Sequence, residues 1–100
     1  MYNAAHRHVV NTNAAVAVDT TVGGTELLPA LSGKTSRKVC LITNCTSVVV
    51  YVAVGFNPTS TAFTYSMAAG TTVSLPAGVD GQIKALTASS SGNVRVYEGV

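Results

Sequence analysis

Four side chains of this chain have the donor atoms for metal or thiol chemistry: His6, His8, Cys40 and Cys45. Their spacing argues against a shared site. A His-x-His pair and a Cys-x4-Cys pair fall outside the pattern of two-Cys, two-His zinc centres, and the histidines lie in a terminal stretch, so no metal is expected. Five residues of extended chain at about 3.3 Å each would hold the two cysteine Cα atoms roughly 16 Å apart, whereas a disulfide needs under about 7 Å. Unless a sharp turn at Asn44 brings them together, Cys40 and Cys45 are expected to be two free, buried thiols, as befits synthesis in a reducing compartment.

The acids are Asp19, Glu26, Asp80 and Glu98. Asp80 sits in Val79-Asp80-Gly81, where Asp-Gly is a turn signal, and Glu98 lies near the end of the last strand. A Ser or Cys nucleophile needs a His held by a third group, but both His residues fall in the first eight positions and no Gly-x-Ser-x-Gly elbow is present. Gly23-Gly24 is followed by Thr-Glu-Leu-Leu, with no Walker lysine. No catalytic or cofactor-binding residue is assigned, no cofactor is called for, and the chain does not read as an enzyme.

The elements that would position any site are strands. Arg37-Lys-Val-Cys-Leu-Ile-Thr-Asn44 and Val48-Val-Val-Tyr-Val-Ala-Val54 are two apolar, β-branched runs around a short polar break. Similar runs at Ala14–Val18, Thr25–Ala30, Ala62–Met67, Thr71–Leu75, Gln82–Thr87 and Asn93–Glu98 alternate with Gly, Asn, Pro and Ser punctuation. About eight short strands at regular spacing, with no helical stripe, predict a single all-β domain, an antiparallel β-sandwich or barrel. Residues 1–13 show neither a period of 2 nor one of 3.6 and read as an N-terminal arm, leaving 14–100 as the domain.

Alternation predicts the faces. Val39, Leu41 and Thr43 share one side of their strand and Cys40 and Ile42 the other, which marks a central or covered strand. Val94, Val96 and Glu98 lie on one face of the last strand, Arg95 and Tyr97 on the other. With Val48, Val50, Val52 and Val54 facing the core, Val49, Tyr51 and Ala53 form an outward apolar stripe, the candidate interface; either a partner or a loop of the same chain would cover it.

Charged residues make up 10% of the chain and the net charge is +2, against an apolar fraction of 47%. So little charge opposes self-association weakly, and an oligomer, a homotrimer, is expected. Lys34, Arg37 and Lys38 cluster without interleaved aromatics; they are read as flanking a strand and keeping its edge soluble rather than contacting nucleic acid. The longest apolar run, Val48 to Val54, falls far short of the roughly 20 residues of a membrane helix, so no membrane span is expected. The polar residues from His6 to Asn13 interrupt any h-region, so no signal peptide is expected.

Ser36-Arg37-Lys38-Val-Cys-Leu-Ile-Thr-Asn44, Val50-Tyr51-Val52 with Gly55, Ala68-Ala69-Gly70-Thr-Thr-Val, Gly81-Gln-Ile-Lys-Ala85 and Val94-Arg-Val-Tyr-Glu98, in that order, resemble small β-sandwich virion proteins of tailed bacteriophages, including capsid decoration or cement proteins. The resemblance spans Ala14 to Glu98. It implies a jelly-roll-like fold, frequent trimers, and a structural role locking neighbouring capsid subunits together, with the major capsid protein or another virion subunit as partner. It further implies synthesis in the host cytoplasm and residence in the virion. A tail, baseplate or connector component is the alternative within that class. A carbohydrate-binding module is the alternative outside it and would need Tyr51, Phe56, Phe63 and Tyr65 to converge as a sugar platform.

Overall fold

β-Branched and apolar residues at alternate positions suit a pleated strand with one face in a core, and the described residues form eight of them. The computed structural model describes residues 10–32 and 35–100. In chain order the strands are β1 (Val10–Val18), β2 (Thr25–Leu28), β3 (Val39–Asn44), β4 (Val50–Val54), β5 (Tyr65–Met67), β6 (Thr72–Ser74), β7 (Ile83–Thr87) and β8 (Gly92–Gly99). Every strand read from the sequence is present. The arm boundary moves, however: β1 begins at Val10, so residues 10–13 belong to the sheet. Thr12 and Asn13 pair with Glu98 and Tyr97, and residues 1–9, with His6 and His8, lie outside the described residues.

The strands form two four-stranded sheets, ordered β1-β8-β3-β6 (sheet I) and β2-β7-β4-β5 (sheet II). All pairings are antiparallel: β1 with β8, β2 with β7, β3 with β6 and β4 with β5. The first half of the chain is thus laid against the second as one long nested hairpin. Rolling that ribbon so that β3 also pairs β8 and β4 also pairs β7 closes the two sheets of a jelly roll. β3 is an interior strand, as its two apolar faces require.

The core between the sheets is aliphatic. Val18, Cys40, Ile42, Val94 and Val96 of sheet I meet Leu28, Val50, Val52, Met67, Ile83 and Ala85 of sheet II, all nearly inaccessible to solvent. Val94, Val96 and Glu98 share the buried face of β8 while Arg95 is exposed, as alternation requires. Two further expectations fail here. Cys45 lies in the turn after β3 and is exposed, because Asn44 ends the strand and takes the inward position; Cys40 alone is buried, and both thiols are free. Arg37 does not keep a strand edge soluble but is 1% exposed. Lys38 beside it forms a bend and is exposed, so the pleat of β3 does not extend back to Arg37, whose side chain turns inward. Lys34 lies outside the described residues.

Candidate functional site

Two polar clusters are buried in this apolar frame, one at each end of β3. At the first, Arg37 donates from Nε to Glu98 Oε2 at 2.5 Å. It also donates from Nη1 to the carbonyls of Val79 and Gly81 at 3.1 and 2.8 Å, and from Nη2 to Pro29 O at 2.6 Å. One guanidinium therefore ties the β2–β3 connection, the β6–β7 connection and β8 together. Glu98, 4% exposed, also lies within reach of the Thr12 hydroxyl of β1 at 3.5 Å. Asp80 completes the corner: its Oδ1 accepts the Arg37 backbone N–H at 2.8 Å and the Ser36 hydroxyl at 3.2 Å. The Arg37 N–H bond is the main reason that the Asp80 carboxyl is held below its ordinary range, helped by Ser36 and by the positive charges of Arg37 and Lys38 and opposed by partial burial. Cys40, opposite Glu98 in the register, has its thiol pushed up by burial, with Arg37 acting the other way and Glu98 adding to the rise.

At the second, Asn44 fixes the β3–β4 turn. Its Nδ2 donates to Val48 O at 2.8 Å and Met67 O at 3.0 Å, and its Oδ1 accepts from the Thr46 N–H at 2.9 Å and the Thr46 hydroxyl at 2.6 Å. The Asn44 backbone also exchanges bonds with the β5–β6 turn, through Thr71 O and Gly70 N. Both clusters are internally saturated: no buried side-chain nitrogen or oxygen among the described residues lacks a partner. A buried ion pair needs such compensation, since desolvating the two charges offsets most of their attraction. These clusters hold loops; they do not aim a free group at a substrate position. Among the described residues no three His, Cys, Asp or Glu side chains gather as a metal site.

The candidate interface is rearranged by the β4–β5 connection, residues 55–64. Val49 and Tyr51 are half-buried, and Ala53 is fully buried rather than outward-exposed. The connection folds back over this face of sheet II. Phe63 meets Tyr51 with ring centroids 5.1 Å apart, Asn57 accepts a bond from Lys84, the register partner of Ala53, at 2.8 Å, and Pro58 packs on Gly24. Gly24 has φ +77°, and a Cβ there would stand 2.8 Å from Pro58 Cγ, so glycine is required by both backbone and space. The chain's own loop thus covers part of this stripe, over Tyr51 and Ala53. The four aromatics proposed as a sugar platform do not converge, since Tyr65 packs against the core while Phe56 is exposed.

The outer face of sheet I differs. Register places Asn13, Tyr97, Leu41 and Ser74 in one row and Ala15, Arg95, Thr43 and Thr72 in the next. Asn13, Ala15, Arg95, Thr72 and Ser74 are exposed, and Tyr97, Leu41 and Thr43 half-buried. Arg95 Nη2 donates to Asn13 Oδ1 at 3.2 Å, and the Thr43 and Thr72 hydroxyls share a bond at 2.8 Å. The result is a solvent-facing surface of hydroxyl, amide and apolar groups whose two rows carry a single charge, that of Arg95. The faces were legible from alternation, but the choice between them was not, because it depends on where the β4–β5 loop lands. Comparison with protein-family models, curated proteins and solved structures finds no match to this chain.

Proposed function

We propose that the chain is a non-enzymatic structural protein of a phage particle, a capsid decoration protein that bridges neighbouring shell subunits. The observation that carries this reading is the outer face of sheet I, a nearly uncharged β surface on a jelly roll whose buried side-chain nitrogens and oxygens, among the described residues, are all bonded within the protein itself. Such a face offers hydroxyl and amide hydrogen bonds around half-buried Leu41 and Tyr97, and many weak copies of such a contact add up on a symmetric shell. Jelly rolls occur in capsid and lectin domains alike, so the fold permits the role without dictating it. The resemblance of the strand motifs to small phage virion proteins supports the same assignment.

The test is quantitative mass spectrometry of purified particles. A copy number close to that of the major shell subunit is the expected result, together with lower thermal stability of particles stripped of the protein. A few copies per particle would move the assignment to a tail or connector, and absence from the particle would overturn it.

A further inference from the structure

Four strands sit at sheet edges, and three of them are short. β5 and β6 have 3 residues each and β2 has 4 with a register shift, which leaves little to template another chain. β1 is the exception. It runs for 9 residues, Val-Asn-Thr-Asn-Ala-Ala-Val-Ala-Val, without a charge or a proline, and among the described residues it pairs with β8 alone.

The ladder fixes which of its backbone groups are open. Leu75 N donates to Cys40 O and Asn44 N to Thr71 O, so the even residues of β3 bond toward β6 and its odd residues toward β8. Carried through the register, the even residues of β8 bond toward β1, where their partners are Thr12, Ala14 and Val16. Asn13, Ala15 and Ala17 therefore direct their N–H and C=O groups away from the protein. These three positions also carry small or short side chains, all exposed, so no bulky side chain of their own shields the edge.

We propose that β1 is a self-association edge: two copies of this chain join antiparallel along it, about a two-fold axis at Ala15, merging their β1-bearing sheets into one. Three observations favour a second copy as the occupant. The regular part of the strand, Thr12–Val18, which follows the register shift near Val10, has Ala15 at its midpoint. An axis there sets Ala15 against its own image and Asn13 against Ala17, pairing every open group with another and keeping the core side of each sheet on the same side. Among the described residues the nearest like charges, the two Arg95 side chains that flank Ala15, would be about three strand spacings or 14 Å apart, beyond the Debye length of about 8 Å at physiological salt. The edge lies away from the covered Tyr51 stripe, and the inference does not depend on the virion reading.

Sedimentation equilibrium of the full chain from about 10 μM to 1 mM tests this, because edge pairing alone makes a small interface of the weak class. A monomer–dimer equilibrium is expected. Ala15→Pro removes an outward N–H and leaves every β1–β8 bond, so it should weaken dimerisation at least tenfold while the melting temperature of the monomer stays near wild type. Ala15→Lys sets two ammonium groups face to face between two Arg95 side chains and should also give a monomer, whereas Ala15→Glu places its carboxylate beside Arg95 and should dimerise. Mixing the Lys and Glu variants should produce a heterodimer. A wild-type monomer at 1 mM, a trimer without a dimer, dimerisation indifferent to all three substitutions, or its loss on deleting residues 1–9 alone would each overturn the proposal.

Discussion

At the scale of single residues, the buried Arg37–Glu98 pair concentrates the risk in this fold. Arg37→Met leaves a carboxylate 4% exposed without its partner and should destabilise the protein by about 3–5 kcal/mol in urea unfolding. Adding Glu98→Leu should recover part of that loss but not all, because the carbonyls of Pro29, Val79 and Gly81 lose their donor in both variants; strictly additive losses would show that the pair is not coupled. Asp80 gives a pH signature. Its folded carboxyl titrates below the unfolded value, near 3.9, so its contribution is present above that pH and lost as the pH falls through the folded value. Asp80→Asn should therefore narrow the stability gap to wild type as the pH is lowered below about 4. Arg37 was misread because parity within β3 stops at the bend of Lys38; the signal that pointed to its partner was Glu98 sharing the parity of Val94 and Val96, since an acid on an inward face demands a cation.

Single elements show where strand patterns are informative and where they are silent. The eight strands were readable because β-branched alternation and turn residues are local signals. The path of residues 55–64 was not, because its docking depends on Pro58 meeting Gly24, a contact with a segment far back in the chain. Gly24→Ala should test that docking. It forces a φ of +77° on a residue with a Cβ and drives that atom into Pro58, so a loss of about 1–3 kcal/mol is expected, with faster hydrogen exchange across residues 55–64. Unchanged exchange there would mean that the loop is held by other contacts. The β3–β4 turn was equally opaque: Asn44-Cys45-Thr46 reads as a generic turn, yet the Asn44 side chain binds two segments and thereby places Cys45 outside. One thiol per native chain should thus react rapidly with a disulfide reagent, and the second, Cys40, only on unfolding; two fast thiols would contradict the burial of Cys40.

For the whole molecule, the nested hairpin makes the strands that are farthest apart in sequence immediate neighbours. Closing β1 on β8 demands the largest loop, so folding should be slow, in the millisecond-to-second range of non-local β topologies. The same pairing separates two truncations. Removing residues 1–9 leaves β1 whole, whereas removing 1–13 deletes the rungs from Thr12 to Glu98 and Asn13 to Tyr97 and the hydroxyl beside the buried carboxylate. Differential scanning calorimetry should show little change for the first and a melting temperature several degrees lower for the second, since about 1 kcal/mol corresponds to 4–8 °C at this size. Equal melting temperatures would mean that the start of β1 contributes nothing to the ladder.

The pairing of Val10 with Gly99 also sets how the molecule carries tension. Both ends of the described chain leave the same end of one antiparallel ladder, so a pull applied through them loads the rungs in series and peels β1 from β8 one pair at a time, instead of shearing all of them together. The domain should yield at low force in an optical trap when stretched through Val10 and Gly99, and resist far better when handles at Asn13 and Asn93, at opposite ends of the β1–β8 ladder, load its rungs in shear. A protein of this shape is mechanically weak as a tether and strong as a plate.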